Sequence, residues 1–456
     1  MASNNNEPES YNAPWENTFG KILTPLEDFI HKQSTAGKLL IGCTLIALLF
    51  ANSPYGDEFH HFLETEISFN FGPWSIHHDV HHWINDGLMA MFFFIVGLEI
   101  KRELLAGDLS NFRTAALPFF AAVGGMLVPA LSYILLNTDP DSSHGWGIPM
   151  ATDIAFAISI LVLLGNRIPK SLFTFLIAFA IIDDLGAVTV IALFYTETIH
   201  LNAFLISVFF FVVLIGLNLG GIRTPLPYFL IGGLLWLALS ESGIHATIAG
   251  IFTAWTVPTR PKIKPSVFSR EMRNILDSLD DVSKDESNII YNDKQRALIQ
   301  AIEQGIHKVA SPLQRLEHDL HIPISLLILP IFALANAAIP ITSETVSATF
   351  TQSTPLSIIF GLTFGKLIGI TAFSYLAIKL GISSLPAGCN MKHIIGVSFL
   401  GGIGFTMSIF ITDLAFVQHP ELIDVSKLSI LVASIIAGLS GLLWLRFVAT
   451  EGTAVK

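Results

Sequence analysis

Apolar runs recur along almost the whole chain, broken by short polar stretches. About 20 apolar residues suffice to cross a bilayer as a helix. The candidate runs are 37–52, 83–100, 114–136, 146–165, 172–195, 202–219, 225–240, 244–258, 323–340, 356–379, 393–416 and 427–447. They predict an all-α polytopic membrane protein of about twelve transmembrane helices, with 225–240 and 244–258 notably short. Between runs one and two, Glu66–Ile76 alternates polar and apolar positions around a Gly-Pro pair, the signature of a short β-hairpin. Between runs eight and nine lies a long charge-mixed insert. Its residues 293–310 read as an amphipathic helix and Asp277–Asn288 as mobile, with no fold of its own expected.

Composition agrees with this pattern. The 456 residues are 52% hydrophobic and 13% charged, about half the charge of an ordinary globular domain. Lys101, Arg102, Arg113, Arg167, Lys170, Arg223, Lys379 and Lys392 fall in alternate loops, as do the insert, Lys21, Lys32, Lys38 and Arg446. Of the 25 lysines and arginines only Lys427 lands opposite, and Lys366 lies within a run. Positive loops stay cytoplasmic, so both termini are expected in the cytoplasm. The layout is then 1–35 as a cytoplasmic N-terminal segment, 36–258 as spans one to eight, 259–320 as the cytoplasmic insert, 321–447 as spans nine to twelve and 448–456 as a cytoplasmic tail. The net charge of −11 gives no reason to expect a nucleic-acid partner, since where charge sits matters more than its sum. The polar first 35 or so residues lack the apolar core of a secretory signal. Cys43, in the first run, and Cys389, in a loop on the cytoplasmic side, are not expected to pair.

Charges inside the runs carry the chemistry. Asp183 and Asp184 sit side by side in the middle of the apolar run Leu172–Tyr195. A carboxylate at mid-membrane costs roughly 2.5–3.5 kcal/mol on insertion scales, and two together repel, so protons and cations are expected to compete for them. Asp153 follows Pro149, which cannot donate a backbone hydrogen bond. A helix restarting near Thr152 would offer its positive N-terminal end to Asp153; the alternative is a helix that starts at Pro149, with Asp153 at the interface. Gly401, Gly402 and Gly404 crowd the middle of 393–416 and suggest an unwound stretch, although glycines in membrane helices also serve close packing. Lys366 is about ten positions from either end of its run, too deep to snorkel, so pairing with Asp183 or Asp184 is expected. Asp86, Asp413, Glu99 and Glu103 lie near run ends, where an interfacial anchor is at least as good a reading as a transport role. His77, His78, His81 and His82, in HHDVHH, have spacing compatible with zinc or nickel on a helix, though a solvated loop is the simpler reading.

The segments WIND, VGLEIKREL, PMATDIAFA, AIIDDLGA, SGIHATIAG, RLEHDLH, FGKLIGI and GGIGFTMSIF occur in that order over about 35–447. In them the chain resembles the bacterial NhaA-type sodium/proton antiporter family. The resemblance implies inverted repeats, two broken, crossing helices and a location in the bacterial inner membrane. It implies electrogenic, pH-regulated extrusion of sodium or lithium in exchange for two external protons. Two interrupted spans, one in each half, point to a midplane binding site in transporters, a rule drawn partly from this same family. By resemblance Asp184 is the main cation and proton carboxylate, Asp153 and Thr152 line the site, and Asp184 with Asp153 holds the transported Na+ or Li+. Asp183 would pair with Lys366 and release it when sodium binds. Glu99, Glu103, Glu317, His318 and His321 match positions tied to the pH response. The insert, just before RLEHDLH, departs from the family pattern and leaves the activation pH open. The implied partners are Na+, Li+, protons, the lipid bilayer and a second copy in a homodimer, with no cofactor. A sodium- or proton-coupled solute symporter is the alternative. An intramembrane aspartyl protease is remote: it needs a Gly-x-Gly-Asp motif, absent here, with its aspartates on two helices.

Overall fold

The computed structural model describes residues 33–71, 74–196, 199–283 and 293–448. The N-terminal segment before residue 33 and the tail after residue 448 lie outside these residues. In chain order the elements are α1 (Gln33–Ala51), α2 (Gly56–Leu63), strands β1 (Glu66–Phe71) and β2 (Trp74–Asp79), α3 (Val80–Ala106), α4 (Phe112–Leu136), α5 (Ile154–Leu163), α6 (Lys170–Phe194), α7 (Leu201–Leu219), α8 (Pro225–Ser240) and α9 (Ile248–Thr256). The insert supplies α10 (Pro265–Ser283) and α11 (Asp293–Val309). Then follow α12 (Pro312–Asn336), α13 (Ser343–Thr351), α14 (Ser353–Lys379), α15 (Met391–Leu400), α16 (Phe405–Ala415) and α17 (Pro420–Phe447).

Among the described residues eight helical stretches are long and apolar enough to cross a membrane, counting Ser143–Leu163, which ends in α5, as one, or up to ten if each of two bent pairs counts as one span. The expected count of twelve is not reached by that measure. The run 225–240 forms only 16 helical residues, about 24 Å at 1.5 Å per residue against a hydrocarbon core of about 30 Å. The run 244–258 delivers a nine-residue helix, because the chain first turns through Gly243 at φ 81°. Leucines and phenylalanines exposed along α7, such as Leu205 and Phe209, are at home facing lipid.

The two strands pair antiparallel, Glu66 opposite Asp79 and Ile67 opposite His78, as the alternation predicts. They sit at the N-terminal end of α3. At its other end Lys101 donates to the carbonyls of Trp255 and Val257, each at 2.5 Å, satisfying the C-terminal end of α9. The insert leaves from that end, so β-hairpin and insert mark opposite ends of the bundle.

The amphipathic helix expected at 293–310 is α11, but the insert has more local structure than expected, because α10 precedes it and packs on it. Residues 277–283, expected mobile, continue α10, while 284–288 lie outside the described residues. Charge hid an apolar stripe, Phe268, Met272, Ile275 and Leu279, spaced for one helix face. Phe268 and Met272 lie beside Gly305 of α11, and the Lys308 carbonyl accepts from Lys262 and Ile263 at 3.0 and 3.2 Å. The next helix begins at Pro312, earlier than the run at 323, because Ser311 accepts the Gln314 N–H at 3.2 Å as its cap.

Small residues let the central helices touch. Gly124 of α4 and Gly369 of α14 approach so closely that a Cβ on either would strike the other's carbonyl oxygen. Gly369→Val is therefore expected to lower stability by about 1–3 kcal/mol through overpacking, read as a reduced melting temperature in detergent. An unchanged melting temperature would show that the crossing yields freely.

Candidate functional site

Two helices are interrupted where they meet. A tight helical segment, Ser143–Met150, ends in extended residues, and α5 restarts at Ile154. Asp153 caps that restart, its Oδ1 accepting the Phe156 N–H at 3.1 Å. Between α15 and α16 the chain unwinds at Gly401–Gly404, with a 48° bend. The glycines there serve close approach rather than left-handed geometry, since Gly401 and Gly404 have φ −59° and −91°. A Cβ on Gly402 would collide with the Leu362 carbonyl, and one on Gly404 with Ser408.

The two breaks are bonded to each other. Asp153 Oδ2 accepts the Thr406 N–H at 3.1 Å and the Thr406 hydroxyl at 2.5 Å, so one carboxylate serves the N-terminal ends of both α5 and α16. The Thr152 hydroxyl donates to the Gly401 carbonyl at 2.8 Å, at the C-terminal end of α15. The Asp153 N–H donates to the Ile403 carbonyl at 2.6 Å, and the Ser408 hydroxyl to the Ile148 carbonyl at 2.8 Å. The structure thus assembles Asp153, Thr152 and the glycine break into one crossing, and adds Thr406, which sequence reading missed. Only its place two residues after Gly404 hinted at a capping role.

Beside the crossing, α6 brings up the aspartate pair and α14 brings up Lys366. Lys366 Nζ lies 2.8 Å from Asp183 Oδ2 and 3.0 Å from Thr152 Oγ1, with both members of the ion pair fully buried. Phe179 faces the ammonium with its ring centroid at 5.7 Å. Asp184 differs from its neighbour: both of its carboxylate oxygens are buried, and neither has a hydrogen-bond partner among the described residues. Asp183 Oδ1 is likewise unpartnered. Buried polar atoms are nearly always bonded, and exceptions tend to mark function. Asp153, Asp183 and Asp184 outnumber the one ammonium here, so the ionised site attracts cations.

A cavity of about 670 Å³ reaches Asp184, Asp153 and Thr406, and its wall also includes Glu99, Glu317, His318 and His321. The last group lies towards the insert end, where His321 is largely exposed. Its Nδ1 is 4.0 Å from Glu99 Oε1. Arg102 ties this rim together, bonded to Glu317 and, at 2.8 Å, to Glu103. Sequence reading had used Arg102 only as a loop charge. Glu103 turns aside and accepts the Asp108 N–H at 3.1 Å.

The histidine motif goes elsewhere. His77 and His78 lie on β2, the His78 ring stacks on His82 at 3.9 Å, and His82 Nε2 is 3.1 Å from Asp86 Oδ2. His81 Nε2 is bonded to Asn336 at 3.1 Å. Among the described residues no group of three or more His, Cys, Asp or Glu side chains is placed to share a metal. Cys43 and Cys389 are both free.

The family model described as Na+/H+ antiporter 1 matches residues 27–445. The chain is 51% identical over 437 residues to the Na(+)/H(+) antiporter NhaA of Sulfurimonas denitrificans, covering 96% of this chain and 98% of that one. It is 47% identical to NhaA 1 of Saccharophagus degradans, with 97% and 95% covered. Against NhaA of Dichelobacter nodosus the identity is 42%, with 97% of each chain covered.

Proposed function

Because the chain belongs to the Na+/H+ antiporter 1 family, we propose that this multi-pass membrane protein extrudes sodium or lithium from the cytoplasm in exchange for external protons. The observation that carries the reading is Asp184, whose two oxygens lie buried and unpartnered on a cavity that also touches Asp153 and Thr406. Such a carboxylate either takes a proton or holds a cation, and competition between the two at one group couples their movements. Asp153 completes the cation site. Asp183 and Lys366 keep it charge-compensated, with Lys366 leaving Asp183 as sodium arrives. Exchange of two protons for one sodium is electrogenic, and it is consistent with more carboxylates than ammonium groups at the crossing.

The distribution of positive loops supports an inner-membrane orientation with the insert end in the cytoplasm. The cavity then opens inward, and Glu99, Glu103, Glu317, His318 and His321, tied together in part by Arg102, form a charged rim suited to sensing cytoplasmic pH. Among the described residues the sheet has only two strands, so each keeps an edge that suits pairing with a second copy in a homodimer. In proteoliposomes carrying an imposed pH gradient, added sodium and lithium are expected to collapse the gradient, increasingly as pH rises and deprotonates the coupled carboxylates. A folded protein that gives no response at any pH would sink the reading and redirect attention to solute-coupled uptake.

A further inference from the structure

The cavity stops short of the hairpin end, and three helices that line it meet again further out. Phe92 of α3, Leu329 of α12 and Thr406 of α16 border the cavity. Seven residues further towards the hairpin end on each helix stand Asn85, Asn336 and Asp413. In α12 and α16 seven residues are about two turns, so each pair there shares a helix face at a separation of about 10 Å, while on α3 the interval includes a wider, π-helical stretch at Trp83–Leu88. Buried Phe332 and Phe410 fill the level between, their ring centroids 6.4 Å apart, and Phe93, next to Phe92 on α3, packs its ring on Phe410 at 5.7 Å.

The outer three residues form a closed polar cluster. Asn336 Nδ2 donates to Asn85 Oδ1 at 2.7 Å, and Asn85 Nδ2 donates to Asn336 Oδ1 and to Asp413 Oδ2, each at 3.2 Å. Lys427 of α17 joins with Nζ 2.7 Å from Asp413 Oδ1, the pair nearly buried, and reaches Asn336 Oδ1 at 3.4 Å. His81 adds its bond to Asn336. None of these side chains has a buried polar atom left without a partner. That contrasts with Asp184 and suits a latch rather than a binding site: the cluster is stable only while its helices stay together.

We propose that Asn85, Asn336, Asp413 and Lys427 are the outer gate of the ion path, holding α3, α12, α16 and α17 together while the cavity is open at the insert end. The gate must come apart each time the site turns outward. This proposal rests on the exchange reading above. The test uses Leu329→Cys in the full chain, with Cys43 and Cys389 replaced by Ser, labelled from the hairpin side of oriented membranes by an impermeant maleimide. Adding Asp413→Asn and Lys427→Met is expected to speed labelling roughly tenfold or more, as a state populated at a few per cent becomes a major one. Unchanged labelling in the folded variant would overturn the gate.

If that variant does not fold, Asn85→Cys with Asn336→Cys supplies the answer. Bridging the two with a short bifunctional methanethiosulfonate is expected to stop sodium-driven proton movement, and reductant to restore it. Bridged protein that exchanges as fast as reduced protein would overturn the proposal as well. Asp184→Asn, run alongside, separates the two ideas: its retained exchange counts against the carrier assignment, whereas unchanged labelling or unimpeded bridged protein counts against the gate.

Discussion

Asp184→Asn is expected to reduce sodium-driven proton movement to the level of protein-free vesicles while leaving the protein folded. The substitution keeps the shape of the side chain. It removes no hydrogen bond made within the protein, because neither Asp184 oxygen has a partner among the described residues. What it removes is ionisation. An amide neither releases a proton in the working range nor balances the charge of a sodium ion, so both halves of the exchange fail together. Burying a neutral amide in place of an ionisable carboxyl relieves a desolvation cost, so the melting temperature is expected to hold or rise. The measurement is sodium- and lithium-driven dequenching of a pH-gradient dye in proteoliposomes, with thermal unfolding of the same preparation as the control. Exchange that survives in Asp184→Asn would move the carrier elsewhere, to Asp153 first.

Lys366→Met is expected to destabilise the protein by about 3–5 kcal/mol, the usual loss when one partner of a buried ion pair is removed. Lys366 and Asp183 are both fully enclosed. The change strands Asp183 and also leaves Thr152 Oγ1 without the ammonium that donates to it at 3.0 Å. Replacing both members, Asp183→Asn with Lys366→Met, is expected to recover most of the lost stability, since no unpaired charge then stays buried. Thermal unfolding in detergent across the two single variants and the double variant reads this directly. A single Lys366→Met that melts with the wild-type protein would show that the pair holds no net charge interaction to lose.

Much of this site was legible beforehand because charge inside an apolar run is expensive and therefore conspicuous. Asp183, Asp184, Asp153 and Lys366 stood out for that reason, as did Pro149 ahead of Asp153 and the glycines between α15 and α16. Hydrogen-bonding residues among loops and caps give no such signal. Thr406, Asn85 and Asn336 look like any polar residues near helix ends, and Arg102 looks like a loop charge. The insert misled in the opposite direction: its charges masked a stripe, Phe268 to Leu279, that forms a helix packed on its neighbour.

By itself, then, the chain's order of residues decided that it is a membrane protein, which runs are apolar, where carboxylates must sit at mid-depth and which loops carry positive charge. These are properties of segments read against lipid and water, and each acts within a few turns of chain. The run of residues left open which aspartate takes Lys366; family resemblance pointed to Asp183, and the tertiary structure places the ammonium there. Neighbours on a helix point about 100° apart, so the placement of α14 against one face of α6 separates Asp183, paired, from Asp184, left open. It likewise decided that one carboxylate, Asp153, caps two helices far apart in sequence, and that Asp413 finds Lys427. Such pairings depend on helix crossings set by small residues such as Gly124 and Gly369, whose partners lie hundreds of positions away and leave no local trace.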